Sequence, residues 1–432
     1  MSALAVVKSL SSVQRKTLLA SFLGWTLDGF DFLIVTFVVV RIAGDFGRTI
    51  PDVAFAITVT LMMRPLGALI FGWFADRYGR RVPLMIDIGL FSLIDLLTAF
   101  APNFWVFIGL RALFGIAMGG EWGVGAALAM EALPSKARGL FSGILQQGYS
   151  TGFLIAAVVY YLVYPHFGWR GMFVVGTLPA LLILFIRTQV PESDVWKKNV
   201  VARTGQTGGL WRSIVANAPL FVYSILLMTA FNFMSHGTQD LYPTFLQKQR
   251  GFSVGQVSAL TIVTYIGAIL GGTTFGAISQ GLGRRRTIVT AVVLGACIVP
   301  LWAFAPTAAL LGVGGFVMQF MVQGAWGVIP AHLNELSPPD VRGTFPGFTY
   351  QMGNLISAGA AQMEAAFAAR FPAPGVGADY ARALAIVAFV VFAAVGVLAA
   401  VGPEAKERLF DAPPAEGGAG QARLSPETVA DR

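Results

Sequence analysis

The stretch Gly72–Arg81 reads GWFADRYGRR, and the related stretch Gly276–Arg285 reads GAISQGLGRR. Each joins two long apolar segments, and the two stretches are 204 residues apart (276 − 72). The same offset relates four further pairs: Asp28 and Asn232, Glu131 and Glu335, Arg138 and Arg342, and Gln147 and Gln351. Several coincidences at one offset indicate that the chain consists of a duplicated unit.

The composition indicates whether this duplicated unit lies in water or in a membrane. Of the 432 residues, 56% are hydrophobic and 12% are charged, and the mean hydropathy is +0.69. A soluble protein carries roughly 25% charged residues. The apolar runs are long enough for helices that cross a bilayer and too long for the strands of a membrane barrel. We therefore predict an all-α polytopic membrane protein.

Twelve membrane-spanning helices can be placed on the sequence. They are predicted at 17–42, 52–75, 83–101, 104–132, 139–163, 169–188, 216–245, 253–278, 287–305, 307–336, 343–369 and 381–402. This arrangement gives a first six-helix half at 1–188, a linker at 189–215, a second half at 216–402 and a disordered tail at 403–432. Parallel repeats of this kind place their binding site near the bilayer midplane, between the halves.

The net charge of +8 reflects topology rather than a nucleic-acid partner. Most of the 30 Lys and Arg lie on the side of both predicted termini, and the positive-inside rule makes that side cytoplasmic. The predicted location is therefore the plasma membrane, here a bacterial inner membrane. Each twelve-helix chain encloses its own site, so we expect a functional monomer.

The Gly72–Arg81 loop resembles the signature of the major facilitator superfamily between helices two and three. We predict that it contributes to a cytoplasmic gate made of Asp76, Arg77, Arg80, Glu131, Arg138, Glu335 and Arg342. In the second copy, Gln280 and Gly281 replace the aspartate and the following arginine, so that side of the gate should be weaker. The spacing Arg111-x-x-x-Gly115-x-x-x-Gly119 permits close helix contact, with Arg111 near the outer end, where it could reach the interface.

Arg64 is the candidate anchor for a substrate. Inserting an ionised group at the bilayer centre costs about 2.5–3.5 kcal/mol of free energy, so a charged residue at the depth of Arg64 indicates a functional role. A guanidinium binds a carboxylate through two parallel hydrogen bonds, so we expect Arg64 to hold a substrate carboxylate. The alternative is a permanent salt bridge to Asp28 or Asp31.

Proton coupling requires a group whose protonation changes as the site opens and closes. The candidates are Asp28, Asp31, Glu121, His236 and Asp240. Asp28 and the pair formed by His236 and Asp240, one helical turn apart, are the favoured ones. The proton is the expected coupling ion, and neither a cofactor nor a metal site nor an enzymatic activity is predicted.

The seventh span carries an unusually dense polar stripe of Asn232, His236 and Asp240, flanked by Ser235 and Gln239. Such a stripe faces a wet cavity or, alternatively, only holds helices together. The pattern N-x-x-[S/T]-H-x-[S/T]-Q-D-x-x-x-T resembles the signature of lactate/pyruvate–proton symporters of the sialate:proton symporter family, similar to the yeast lactate permease. This family belongs to the major facilitator superfamily.

The resemblance implies a function and a set of substrate-binding residues. It implies a proton-coupled symporter of small monocarboxylates that works by alternating access. Its substrate would contact Arg64, Asn232, His236, Gln239, Gln351 and Asn354. Asp28-Gly29-Phe30-Asp31 also resembles the first-helix motif of aromatic-acid symporters, and sialic acid is a further option. A membrane sensor on a transporter scaffold is the alternative of a different class.

Overall fold

The computed structural model describes residues 7–202, 210–373, 378–408 and 410, and these form an all-α bundle. The first half contains α1 (Ser12–Asp45), α2 (Ile50–Tyr78), α3 (Arg81–Ala99), α4 (Phe104–Ala132), α5 (Arg138–Gln146), α6 (Gly148–Val175) and α7 (Ala180–Gln189). The predicted linker contains α8 (Asp194–Ala202) and α9 (Leu210–Ala216), and 203–209 lie outside the described residues.

The second half has the same order of spans, but three of them are each divided into two helices. It contains α10 (Ala218–Gln239), α11 (Tyr242–Lys248), α12 (Val254–Leu282), α13 (Arg284–Phe304), α14 (Ala308–Trp326), α15 (Ile329–Leu336), α16 (Phe345–Ser357), α17 (Ala360–Ala368) and α18 (Tyr380–Val401). Helices α2 and α12 both begin with a capping box, at Thr49 and Ser253, which are also 204 residues apart (253 − 49). Each such cap contributes about 1 kcal/mol to the start of its helix.

Ten helical stretches within the described residues are long and apolar enough to cross a membrane. One of them, Ser135–Gln189, has 55 residues and turns back at Gly168, whose φ of 60° is left-handed, so it supplies two crossings. Helices α16 and α17, separated by a short break, supply the crossing predicted at 343–369. The twelve predicted spans are thus accounted for.

Glycines bring α4 against α2. A Cβ atom on Gly115 would lie 2.2 Å from the carbonyl oxygen of Thr60, and one on Gly119 would lie 2.1 Å from that of Arg64. Any larger residue would therefore push the two backbones apart. This close contact is what the small-residue spacing on the fourth span predicts.

The two halves meet at one end of the bundle, which we call the inner face. It carries the Gly72–Arg81 loop and the residues after α18, and it is the face predicted to be cytoplasmic. There α5 packs on α12, and α2 packs on α16. Ser142 links the two halves, because its Oγ donates to the carbonyl of Gly327 (2.7 Å) and accepts from the amide of Ala331 (2.9 Å). The inner face is closed.

The chain after α18 differs from the predicted disordered tail over its first residues. Residues 403–408 and 410 fold back onto the inner face, and the Phe410 side chain is only 3% exposed. The Ala, Gly, Pro and charged residues of this segment indicated disorder. Its order could not be predicted because its contacts are with distant parts of the chain. Residues 411–432 of the predicted tail lie outside the described residues.

Candidate substrate-binding site and inner gate

Arg64 lies in the middle of α2 and is 3% exposed. Its Nε and Nη2 atoms have no hydrogen-bond partner among the described residues. No carboxylate of the described chain lies within ion-pair distance of it, so the permanent salt bridge to Asp28 or Asp31 is not present. The ring of Phe32 has its centroid 5.9 Å from the Arg64 Cζ atom. The guanidinium is buried and available.

Two buried carboxylates face the charge of Arg64. Asp28 on α1 and Glu121 on α4 are both fully buried and within its electrostatic reach. None of their four oxygens is hydrogen-bonded within the described chain. Asp87, for which sequence analysis predicted no role, interacts electrostatically with the same two carboxylates. Two acids therefore lie within electrostatic reach of Arg64, and a third lies beside them.

Asp31 belongs to a different cluster. Asp31 and Asp95 approach each other at Gly176, where a Cβ atom would lie 3.0 Å from an oxygen of each. Asp95 forms an ion pair with Arg111, which is 1% exposed and stacks on the ring of Phe114 (4.2 Å). The position of Arg111 near the helix end suggested that its side chain reaches the membrane interface. It does not, because Asp95 on α3 is a buried partner for it.

The polar stripe of the seventh span divides among three environments. The Asn232 Nδ2 atom donates to the carbonyl of Met228 on its own helix (2.8 Å). The His236 Nδ1 atom lies 2.9 Å from an oxygen of Asp240, and both side chains are about one third exposed (35% and 34%). Ser235 accepts a hydrogen bond from the indole of Trp326 (2.6 Å). Of these residues, Asn232 is buried, whereas Ser235 and the His236–Asp240 pair are partly exposed.

Gln239 lines a small cavity in the second half. Its Nε2 atom donates to Oε1 of Gln319 (2.8 Å), and Gln319 donates in turn to Thr238 (3.1 Å). The cavity, about 80 Å³, also contacts Tyr265 and Gln323. The sequence missed Gln319 and Gln323, although two glutamines four residues apart in an apolar span are a signal of the same kind as Gln239.

The last predicted binding residues lie on α16. The Asn354 Nδ2 atom donates to Oε1 of Gln351 (2.9 Å), so the two predicted residues form a pair. Gln351 is fully buried, and its Nε2 atom has no partner among the residues described. This amide, like the guanidinium of Arg64, is a donor without an acceptor.

Aromatic side chains from both halves pack against one another beside this site. Trp122 lies tilted against Tyr350 (4.6 Å between centroids), and Trp25 lies against Tyr149 (5.4 Å). Trp326 contacts Tyr350 from the second half (5.7 Å). We call these five residues the aromatic floor. Sequence analysis did not predict the aromatic floor, because the position of an aromatic residue in an apolar span does not indicate which way its side chain points.

The inner gate contains a buried ion pair in each half. Arg80 contacts Glu131 (2.9 Å) and Asp76 (2.9 Å), and Arg284 contacts Glu335 (2.8 Å). Burial alone would lower the pKa of Arg80, but the two carboxylates raise it above the ordinary value. The sequence did not single out Arg284, although it is the repeat of Arg80.

The bonds between the halves are unequal, as the replacement of Asp76 by Gln280 predicts. Asp76 accepts from the amide of Gly343 (2.6 Å) and from the amide and hydroxyl of Thr344 (3.0 and 2.8 Å). In the second copy, the Gln280 side chain accepts a single bond from the other half, from the amide of Gly139 (3.0 Å).

Two predicted gate arginines behave differently from one another. Arg77 points outward, over the rings of Trp73 and Tyr78 (5.7 Å each), and takes no part in the described ion-pair network of the gate. Arg138 lies in the gate, where its Nε atom donates to the carbonyl of Met130 (3.1 Å).

The fold, the buried charges between two six-helix halves and the closed inner gate define a multi-pass membrane transporter, not an enzyme. Residues 18–361 match the Major Facilitator Superfamily, and the chain belongs to that family.

Among its relatives is a carboxylic acid transporter protein homolog of Saccharomyces cerevisiae, 33% identical over 91% of this chain and 68% of that protein. The sialic acid transporter NanX of Escherichia coli is 28% identical over 81% of this chain and 86% of its own length. The solved proton:xylose symporter XylE has the same fold, with a TM-score of 0.69 and 17% identity over 93% of this chain and 98% of that chain.

Proposed function

We propose that this chain is a proton-coupled symporter of small monocarboxylates, of the lactate or pyruvate type, driven by the proton gradient. The observation that carries the proposal is Arg64, a buried guanidinium that forms no ion pair with the described residues. A substrate carboxylate would supply its missing acceptors through two parallel hydrogen bonds. The names of the relatives, which include a carboxylic acid and a sialic acid transporter, support an acidic substrate.

Proton coupling follows from the charges around Arg64. Asp28, Glu121 and Asp87 are buried near one another, so with all three ionised their negative charges would outnumber the one positive charge of Arg64. An incoming anion would add a further negative charge in a medium of low dielectric constant. A proton on one of these acids reduces that repulsion. The anion and the proton therefore enter together.

The small volume of the cavity in the second half favours a small acid. The cavity beside Gln239 and Gln319 holds about 80 Å³ and offers amide and hydroxyl groups that can bond the hydroxyl or keto oxygen of lactate or pyruvate. The His236–Asp240 pair, one third exposed near the end of α10, would let a proton enter from the side opposite the inner face. We propose that the protein lies in a bacterial inner membrane with both termini cytoplasmic and works as a monomer without a cofactor.

The aromatic floor favours a second candidate, an aromatic acid. Tyr149 and Tyr350 both lie within electrostatic reach of Arg64, so a ring attached to a bound carboxylate could stack on the floor. An aromatic acid would use the same arginine, and the two candidates differ only in the part of the substrate beyond the carboxylate.

The proposal is tested by uptake of labelled L-lactate into proteoliposomes with and without an inward proton gradient. Wild-type protein should accumulate lactate only with the gradient. Arg64→Ala should reduce uptake at least about a hundredfold, since the loss of a buried charged hydrogen bond costs several kcal/mol. Arg64→Lys keeps the charge without the planar fork and should remain severely impaired.

Competition by unlabelled acids then identifies the substrate. Benzoate and sialate, each in excess, are compared with pyruvate. Gradient-driven uptake of labelled benzoate, with labelled lactate itself not taken up, would favour the aromatic-acid candidate. Gradient-independent lactate uptake would contradict the coupling, and wild-type uptake by Arg64→Ala would contradict the anchor.

A further inference from the structure

The chain that follows α18 is attached to the loop between α12 and α13. Glu404 accepts a hydrogen bond from the amide of Arg285 (3.0 Å), and the Lys406 ammonium donates to the carbonyl of Gly281 (3.0 Å). The Gln280 side chain donates to an oxygen of Glu407 (2.9 Å). These contacts keep residues 404–408 against the second half of the inner gate.

The side chain of Phe410 then enters the space between the two halves. Its ring centroid lies 3.5 Å from the Cζ atom of Arg138 and 4.2 Å from that of Arg342. Arg138 belongs to the first half, and Arg342 is its repeat in the second. The ring also joins an apolar cluster that contains Ala137 from the first half and Ala331 from the second. One side chain therefore contacts both halves.

The backbone before Phe410 bridges the halves as well. The carbonyl of Arg408 accepts from Nη1 of Arg138 (2.7 Å), and the amide of Glu407 donates to Oε1 of Glu335 (3.3 Å). Glu407 has a φ of 63°, which a residue with a side chain adopts only when its surroundings compensate for the strain. The turn at Glu407 directs the chain back into the gate.

The ring also relieves a repulsion among cations. Burial lowers the pKa of Arg342 to about 10, against the effect of Glu131, and the charges of Arg80, Arg408 and Arg138 lower it further. Arg342 is therefore still charged at neutral pH and crowded by like charges. An aromatic ring presents a negative face to a cation on each side, and so stabilises two arginines that would otherwise repel each other.

We propose that residues 404–408 and 410 form a latch that stabilises the inside-closed state, with Phe410 as the residue that joins the halves. Arg138 and Arg342 move apart when the halves separate at the inner face, so one ring cannot stay in contact with both. The latch contacts exist in the closed state and are lost in the open one, and they shift the equilibrium by that difference. The proposal does not depend on which acid is transported.

The test measures the separation of the halves directly. Spin labels are attached through Tyr78→Cys and Leu282→Cys, repeat-related and exposed positions on the inner face, in a Cys297→Ser background that removes the one native cysteine. Double electron–electron resonance in nanodiscs then gives the ratio of long to short distances. Phe410→Ala should raise this ratio about threefold to tenfold. Uptake by the same variants, without labels, shows whether the shift affects transport.

Two further variants make the result specific. Phe410→Leu keeps an apolar side chain and removes the ring, so it should give an intermediate shift. Phe304→Ala removes an exposed phenylalanine at the opposite end of the bundle and should leave the distances unchanged. An unchanged distance distribution in folded Phe410→Ala would overturn the proposal. If that variant does not fold, the distances in Phe410→Leu decide, and wild-type values would overturn it equally.

Discussion

At the residue scale, one glycine determines where a buried acid can lie. A Cβ atom on Gly24 of α1 would be 2.3 Å from Oε1 of Glu121, so only glycine leaves room for this carboxylate beside α1. Glu121 in turn lies within electrostatic reach of Arg64 and Asp28. The absence of a side chain at Gly24 therefore contributes to the arrangement of charges in the site.

Gly24→Ala should impair transport without unfolding the protein. The added methyl group displaces the Glu121 carboxylate, and a shift of about 1 Å in a site of this kind costs roughly a hundredfold in rate. Gly44→Ala is the matched control on the same helix, because a Cβ atom there meets nothing within 4 Å. Initial rates of lactate uptake and thermal unfolding of both variants are compared. Equal rates in the two would show that Glu121 can move freely.

Arg64 shows what can be inferred from a residue type alone. A permanent cation in the middle of an apolar span predicted a binding role, and its lack of an ion pair in the described chain is consistent with that role. The sequence could not exclude a salt bridge to Asp28 or Asp31, because the direction of three side chains on separate helices depends on helix rotation. Helix rotation is set by packing between helices.

At the element scale, α1, α3 and α4 share a buried charge cluster centred on the ion pair of Arg111 and Asp95. Arg111 on α4 pairs with Asp95 on α3, and Asp31 of α1 lies beside Asp95. The pair joins α3 and α4, and Arg111 also donates to Oγ1 of Thr98 on α3 (3.3 Å). Its burial makes it strong when intact and costly when broken.

Arg111→Met should destabilise the protein by about 3–5 kcal/mol, because it leaves two acids buried without a cation. The double variant Arg111→Met, Asp95→Leu should recover most of this loss. Arg41→Ala breaks an exposed pair with Asp45, whose side chains are 65% and 33% exposed, and should cost at most about 1 kcal/mol. Thermal unfolding in detergent measures all three variants. A double variant no more stable than Arg111→Met would show that the arginine has a role beyond this pair.

At the scale of the whole molecule, the inner gate is symmetric in position and unequal in strength. Both halves have a buried Arg–Glu pair, but Asp76 accepts three bonds from the opposite half and Gln280 accepts one. The contact between α2 and α16 should therefore be the stronger of the two. It should also determine how readily the inner face opens.

Asp76→Asn should open the inner face. The neutral side chain loses its charge-assisted bonds to Gly343 and Thr344, which are worth about 1.5–3 kcal/mol for a charged acceptor. The fraction of long distances between labels at Tyr78→Cys and Leu282→Cys should rise at least about tenfold. Gln280→Ala, at the weaker side, should give a smaller increase. Equal increases in the two variants would contradict the asymmetry.

The sequence by itself determined the class of this protein and its organisation. Long apolar runs admit only helices in a bilayer, and repeated motifs at one offset reveal two halves, because both properties are local or periodic along the chain. It also selected Arg64, Asp28 and Glu121, since charge within an apolar span is conspicuous.

Only the tertiary structure decided which of these groups meet. It placed Asp31 with Asp95 rather than with Arg64, assembled the aromatic floor from five positions on both halves, and brought Phe410 between Arg138 and Arg342. Such contacts join residues far apart in the chain through the rotation and packing of separate helices. No pattern along a single segment records that rotation, because it follows from the shapes of all the side chains that pack between the helices.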